Sequence, residues 1–130
     1  MIVIDASAMV EALVGRQVDD ELLEAMVDDV HAPHLLDVEV LSVLRGLTLN
    51  GKLRQNAAEQ ARNDHFAFTI ARYEVAGLAD RVWELRNNHT TYDACYIALA
   101  EALAAPLYTC DSKLARDGHS AEVKVFPRSH

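Results

Sequence analysis

The sequence is short of cysteine and lacks any long hydrophobic run, and both shortages exclude classes of protein. Two cysteines, Cys95 and Cys110, occur in 130 residues, too few for a disulfide scaffold or a zinc cluster. No apolar stretch approaches the ~20 residues that a helix needs to span a bilayer. The opening MIVIDAS reaches the charged Asp5 too soon for a secretory signal, which needs a longer apolar stretch. We therefore expect a cytoplasmic protein.

Positive charge is also scarce. Twelve Lys and Arg residues face 20 Asp and Glu residues, so the formal net charge is −8. Phosphate contacts favour a basic surface, so this balance argues against a broad RNA-binding face that ignores sequence. Either divalent cations hold some of the acids together, or a basic partner covers an acidic surface. The charge count does not decide between the two.

Several catalytic motifs are missing. The sequence has no H-E-x-x-H, no glycine-rich phosphate loop and no G-x-S-x-G, so it offers no support for a zinc protease, a nucleotide hydrolase or a serine hydrolase. His31 and His34 are three positions apart, but Pro33 lies between them and no further residue completes a zinc site.

Short apolar runs alternate with amphipathic segments along the whole chain. Hydrophobic residues make up 51 % of the sequence, enough for a core, and we expect a single domain over residues 1–130. The pattern predicts strands at 2–4, 66–70, 107–110 and 123–126. It predicts helices over 7–14 (capped by Ser7), 19–27, 36–47, 55–62, 78–85 and 91–103. Such alternation is typical of an α/β sandwich with a mostly parallel central sheet flanked by helices.

Four acids stand out because their immediate neighbours are apolar. Asp5 and Asp111 each follow a predicted strand, and ligands of parallel sheets bind beyond the carboxyl ends of the strands. Glu39 lies inside an apolar helical stretch, and Asp93 lies in the first turn of a helix, where an acid is also stabilised by the helix dipole. Converging, partly buried carboxylates repel one another unless a cation pairs with them. Hard oxygen ligands without His or Cys suit Mg²⁺ or Mn²⁺.

Four segments together resemble a known family. They are MIVIDASAMVEALVG, PHLLDVEVLSVLRGL, TTYDACYIALAEAL and PLYTCDSKLAR. In this order and spacing they are similar to PIN-domain ribonucleases, and most of all to the VapC-type toxins of bacterial toxin–antitoxin systems. The resemblance covers nearly the whole chain.

The resemblance implies a PIN-like three-layer fold and a set of functional residues. The family's acidic site falls on Asp5, Glu39, Asp93 and Asp111, as catalytic residues and ligands of Mg²⁺ or Mn²⁺. Ser7 and Thr109 match small hydroxyl positions beside the metal, where they bind water or orient a carboxylate. The implied reaction is hydrolysis of RNA by a metal-activated water. The implied partners are an antitoxin protein and a second copy of the chain in a homodimer.

Two other interpretations stay open at this point. One is a PIN-fold binding module without activity. The other is a haloacid-dehalogenase-like phosphatase with Asp5 as its nucleophile. That second family needs another Asp two residues further on, where this sequence has Ser7.

Overall fold

The computed structural model describes residues 1–130 as a five-stranded, all-parallel sheet flanked by helices. The strands are β1 (Ile2–Ile4), β2 (Val30–Pro33), β3 (Ile70–Tyr73), β4 (Leu107–Thr109) and β5 (Val123–Val125), arranged in the order β3-β2-β1-β4-β5. The helices are α1 (Ala6–Val14), α2 (Asp20–Met26), α3 (Leu35–Leu49), α4 (Gln55–Ala67), α5 (Ala79–Glu84) and α6 (Thr91–Leu103). The predicted α/β fold with a parallel sheet is confirmed.

The first strand occupies the centre of the sheet. β1 pairs with β2 on one side and with β4 on the other, so that Val3 lies opposite both His31 and Leu107. Its three residues are all buried, as expected of a parallel strand that is covered on both faces. Because all five strands run the same way, their carboxyl ends meet at one edge of the sheet. Asp5 emerges at the middle of that edge.

Helix α6 is apolar almost all round, because it packs directly on the centre of the sheet. Residues 94–100 are all buried, and the helix contacts β1 and β2. Thr90 caps the helix by accepting a hydrogen bond from the Asp93 amide at 3.1 Å. A central helix with a fixed start holds Asp93 beside the end of β1.

The start of α1 differs from the prediction. Asp5, not Ser7, is the N-cap, and its carboxylate accepts a hydrogen bond from the Ala8 amide at 3.0 Å. Asp and Ser are equally good caps, so the cap preference alone could not choose between them. Ser7 lies in the first turn of α1, and its hydroxyl is engaged by Asp5 and by the Cys110 amide.

The strand predicted at 66–70 is also wrong. α4 continues to Ala67, and the strand β3 begins at Ile70. The alternating phenylalanines were misleading, because Phe66 is 51 % exposed and lies on the outer side of a helix whose buried residues are Ala58, Ala61 and His65. Strand β2 was not predicted, since its sequence VHAP contains a histidine and a proline and lacks a β-branched run.

The core is continuous through the sheet and the helices, with 30 buried hydrophobic residues in one cluster. None of the helices combines the length and the hydropathy that a bilayer-spanning segment needs.

Candidate active site

The four predicted acids lie at the carboxyl edge of the sheet on four different elements. Asp5 follows β1, and Asp111 follows β4 and caps the 3₁₀ turn at Ser112–Ala115. Glu39 lies in the second turn of α3, the helix after β2, and Asp93 lies in the first turn of α6. Parallel strands therefore bring together residues that are more than a hundred positions apart in the chain.

Asp5 is the most buried of the four, with only 6 % of its surface exposed. One carboxylate oxygen, Oδ1, accepts hydrogen bonds from the Ala8 amide and, at 2.7 Å, from the Ser7 hydroxyl. The other oxygen, Oδ2, accepts a hydrogen bond from the Thr109 hydroxyl at 2.5 Å. The carboxylate is thereby fixed in orientation by three donors from two elements.

Burial raises the pKa of Asp5 to about 6. The hydrogen bonds from Thr109, Ala8 and Ser7 lower the pKa but only partly offset the cost of burying the charge. The nearby carboxylate of Asp93 raises the pKa of Asp5 a little further. A positive charge placed next to this buried carboxylate would stabilise its ionised form.

Glu39 is held by a buried tyrosine. The Tyr96 hydroxyl donates a hydrogen bond to Glu39 Oε1 at 2.5 Å, and only 2 % of Tyr96 is exposed. Burial raises the pKa of Glu39, the Tyr96 hydrogen bond lowers it, and the charge of Asp93 raises it. Glu39 thus also lies within the electrostatic range of Asp93.

Asp93 is the acid that connects the others. Burial raises the pKa of Asp93 above its usual value, and the carboxylate of Asp111 raises it further. Asp93 in turn raises the pKa of Asp5 and of Glu39. The four carboxylates therefore form one electrostatically coupled group with Asp93 at its centre. We call this group the acidic cluster.

Asp111 is the more exposed of the two acids that follow a strand. Its side chain is 30 % exposed, whereas Asp5 is buried. Its carboxylate accepts a hydrogen bond from the Lys113 amide at 3.0 Å, and the Lys113 ammonium group lies 3.6 Å from Oδ2. Lys113 also lowers the pKa of Asp93. Lys113 thus places an exposed positive charge at the rim of the acidic cluster.

The two small hydroxyl residues join the ends of β1 and β4. The Ser7 hydroxyl accepts a hydrogen bond from the Cys110 amide at 2.8 Å, and the Thr109 hydroxyl accepts one from the Asp111 amide at 2.9 Å. Each hydroxyl also donates to Asp5. Ser7 and Thr109 therefore position Asp5 and, through the backbone, the start of the segment that carries Asp111.

The donor chemistry of the acidic cluster fits a hard divalent cation. Its oxygen atoms are the ligands that Mg²⁺ and Mn²⁺ prefer, and three of its four pKa values are raised by burial and by neighbouring negative charge. A bound cation would offset both effects, because it pairs with the buried charges and reduces the repulsion between them. In the arrangement described, no three His, Cys, Asp or Glu side chains surround a point where an ion could sit.

The sequence did not indicate two of the supporting interactions. Tyr96 lies three positions after Asp93 and so on the same face of α6, a spacing that could have marked it as a neighbour of the cluster. Asp37, two positions before Glu39, accepts a hydrogen bond from Arg72 at 2.9 Å and lies 2.8 Å from His65 Nε2. This network ties the start of α3 to α4 and β3.

Comparison with protein families and curated proteins identifies the relatives of this chain. The model of the PIN domain matches residues 2–118. The protein named VapC ribonuclease Mb0985, from Mycobacterium bovis, is 40 % identical over 129 residues, which cover 98 % of this chain and 100 % of that protein. The similarity is thus spread over the full length of both chains.

Solved structures with the same fold include two from Mycobacterium tuberculosis. VapC20, described as a toxin that cleaves the sarcin–ricin loop, has a TM-score of 0.64 at 19 % identity, over 92 % of this chain and 97 % of that one. VapBC-5, a member of the VapBC family of toxin–antitoxin systems, has a TM-score of 0.54 at 20 % identity, over 97 % of each chain. At these identities the structures show a shared fold, while the family model and the 40 % identical relative show the descent. The chain therefore belongs to the PIN-domain family, in its VapC group.

Proposed function

We propose that this protein is a metal-dependent endoribonuclease that acts as the toxin of a toxin–antitoxin pair. The observation that carries the proposal is the acidic cluster, in which four carboxylates from four elements lie at the carboxyl edge of the sheet. A full-length relative at 40 % identity is named a ribonuclease, which supports RNA as the substrate. Neither the phosphatase nor the inactive binding module gains support from the relatives.

We propose Asp5, Glu39, Asp93 and Asp111 as the residues that hold Mg²⁺ or Mn²⁺. When bound, such an ion lowers the pKa of a water molecule and neutralises charge on the phosphate that is attacked. Ser7 and Thr109 hold the Asp5 carboxylate in one orientation, and Tyr96 does the same for Glu39. Hydrolysis without a protein nucleophile would leave a 5′-phosphate and a 3′-hydroxyl.

The proposed protein partner is a cognate antitoxin. The acidic cluster repels other anions but attracts a basic side chain, so an antitoxin that inserts an Arg or Lys there would both bind the site and exclude the metal. The relationship to a member of the VapBC family supports such a partner. We also propose a homodimer as the state of the toxin.

The direct test is cleavage of a mixed RNA pool by the purified protein, with Mg²⁺, with Mn²⁺ and with EDTA. We expect cleavage with either ion and none with EDTA, because the four carboxylates repel the phosphate when no cation is present. Glu39→Gln should show little or no cleavage in any buffer. A folded protein free of antitoxin that leaves every RNA intact with both ions would count against the ribonuclease, and cleavage that persists in EDTA would count against the metal.

Tyr96→Phe tests whether the hydrogen bond to Glu39 contributes to activity. Losing the hydroxyl leaves Glu39 without the donor that lowers its pKa, so we expect the pKa of Glu39 to rise and the low-pH limb of the cleavage profile to move to higher pH. The free energy of unfolding should fall by about 1 kcal/mol, the usual net value of one hydrogen bond. Tyr108→Phe is a matched control, since Tyr108 lies away from Glu39 on β4. A pH profile identical to the wild type would show that Tyr96 only packs.

A further inference from the structure

A cleft lies near the C-terminal end of α1, which is the end far from the acidic cluster. It has a volume of about 730 Å³ and opens between the end of α1, the connection from α3 to α4, and the C-terminal tail, residues 127–130. Apolar side chains line part of its wall, among them Val14, Leu47 and Leu53. An α-helix rises about 1.5 Å per residue, so Val14 lies about 14 Å along α1 from Asp5.

Three basic side chains surround this cleft, which we call the basic cleft. They are Arg16, Lys52 and Arg54. None of them pairs with a carboxylate, and among the 12 Lys and Arg residues only Arg72, Arg81, Lys113 and Lys124 do so. Three of the eight unpaired cations therefore surround one concave surface, in a chain whose formal net charge is −8.

A buried histidine also lines the basic cleft. The imidazole of His130 is only 5 % exposed, and its Nδ1 lies 2.7 Å from Glu11 Oε1. A carboxylate can only accept, so Nδ1 carries the proton that is donated to Glu11. The other ring nitrogen, Nε2, has no hydrogen-bond partner within the chain.

Glu11 fixes this histidine and the tail in place. Its side chain is fully buried in α1, and its carboxylate also accepts hydrogen bonds from the Ser129 amide at 2.7 Å and from the Ser129 hydroxyl. Burial would raise the pKa of Glu11, but the hydrogen bonds from Ser129 and His130 outweigh it and lower the pKa. The C-terminal tail is thus held in place as part of the cleft wall.

The start of α4 adds a further positive element. This 13-residue helix begins after Arg54 without a side-chain cap, and both Arg54 and Ala57 line the cleft. The Ala57 amide is already bonded to the Asn56 side chain, so the helix contributes the positive end of its dipole, which attracts anions. The three basic side chains and the helix start therefore both offer positive charge, and an anionic acceptor is the ligand that complements them.

We propose that the basic cleft binds a backbone phosphate of the RNA substrate, a few nucleotides away from the bond that is cut. This inference rests on the ribonuclease function proposed above. The acidic cluster needs a cation before it can accept a phosphate, so the strand must be held elsewhere as well. The basic cleft lies about 14 Å from Asp5 along the axis of α1, a separation that a few nucleotides of single-stranded RNA can span.

The test measures RNA binding by Lys52→Gln/Arg54→Gln, made in the Asp93→Asn background and in EDTA so that the RNA stays intact. Single-stranded RNA loses about 0.7 in the slope of log affinity against log salt for each phosphate contact removed. We expect the slope to become shallower by about 0.7, because one phosphate contact is lost, and the affinity at low salt to fall at least about tenfold. Arg45→Gln/Arg62→Gln removes two exposed charges from a groove between α3 and α4 and should change the affinity less than about twofold.

Each alternative result has a definite meaning. A double variant that binds RNA with the wild-type salt dependence overturns the inference, also if it loses affinity for the antitoxin or for inorganic phosphate, because the cleft would then serve a protein or a free anion. If the wild type still cleaves RNA, the proposed ribonuclease function is unaffected by that result. If the wild type neither cuts nor binds any RNA, the proposed function and the cleft inference fall together. Lys52→Glu alone, at an exposed side chain without partners, repeats the test if the double variant unfolds.

Discussion

RNA cleavage is expected to slow by about a thousandfold in Asp93→Asn, the usual scale for removing one preorganised electrostatic group from an active site. Asp93 is the member of the acidic cluster that acts on Asp5 and Glu39 and is itself acted on by Asp111. Asparagine keeps the size of the side chain, and the Asp93 amide that bonds to Thr90 is unchanged. The start of α6 therefore stays intact while one negative charge is lost.

The measurement is the single-turnover cleavage rate of a defined RNA, together with the pKa of Asp5 and Glu39 from NMR titration. Both pKa values should fall in the variant, because a negative neighbour has been removed. Asp80→Asn, at an exposed acid in the first turn of α5, should cleave like the wild type. Asp93 would lose its proposed place in the site if its variant cut RNA at the rate of that control.

The second large effect concerns stability. Asp5→Asn is expected to make the fold less sensitive to rising pH, so that the variant gains on the wild type by about 2.5 kcal/mol between pH 4 and pH 8. The pKa of Asp5 is about 6 in the folded protein, against 3.8 as its ordinary value. Well below pH 3.8 the carboxyl is protonated in both states and has no effect on stability. Between pH 3.8 and 6 the unfolded state gives up its proton while the folded state keeps it, so stability falls, and the loss is complete above pH 6, where the folded state carries the buried charge.

Urea unfolding of both proteins in EDTA at a series of pH values measures this gain. The comparison across pH is more informative than the value at one pH, since asparagine cannot accept all three of the hydrogen bonds that Asp5 accepts. Asp20→Asn, at an exposed acid in the first turn of α2, should follow the wild-type pH dependence. Parallel curves of unfolding free energy against pH for Asp5→Asn and wild type would mean that the pKa of Asp5 is not raised in the folded state.

The parts of the fold that could be predicted are those where local pattern and tertiary environment agree. β1 and β4 are short apolar runs that are followed by an acid, β5 has two valines and a following phenylalanine, and α6 has a capping threonine and a largely apolar sequence. β2 has neither signal, because its VHAP sequence is made a strand by pairing with β1 and β3 on its two sides. Such pairing is invisible in a local window.

The same distinction applies to the site. Asp5 and Asp111 could be predicted because each follows a strand, and a parallel sheet must bring strand ends together. The roles of Tyr96 and of Ser129 could not, since each depends on a partner that is distant in sequence, Glu39 in one case and Glu11 in the other. The basic cleft escaped prediction for a related reason: its cations come from three segments that look like ordinary solvated surface.

The central position of β1 has a consequence for the order of events during synthesis. The hydrogen bond between Asp5 and Thr109 spans 104 positions of the chain, and contacts of such long range form late in folding. A growing polypeptide exposes Asp5 first and lacks Asp111 until most of the chain has left the ribosome. We therefore expect the proposed site to be assembled only when nearly all of the 130 residues have been made.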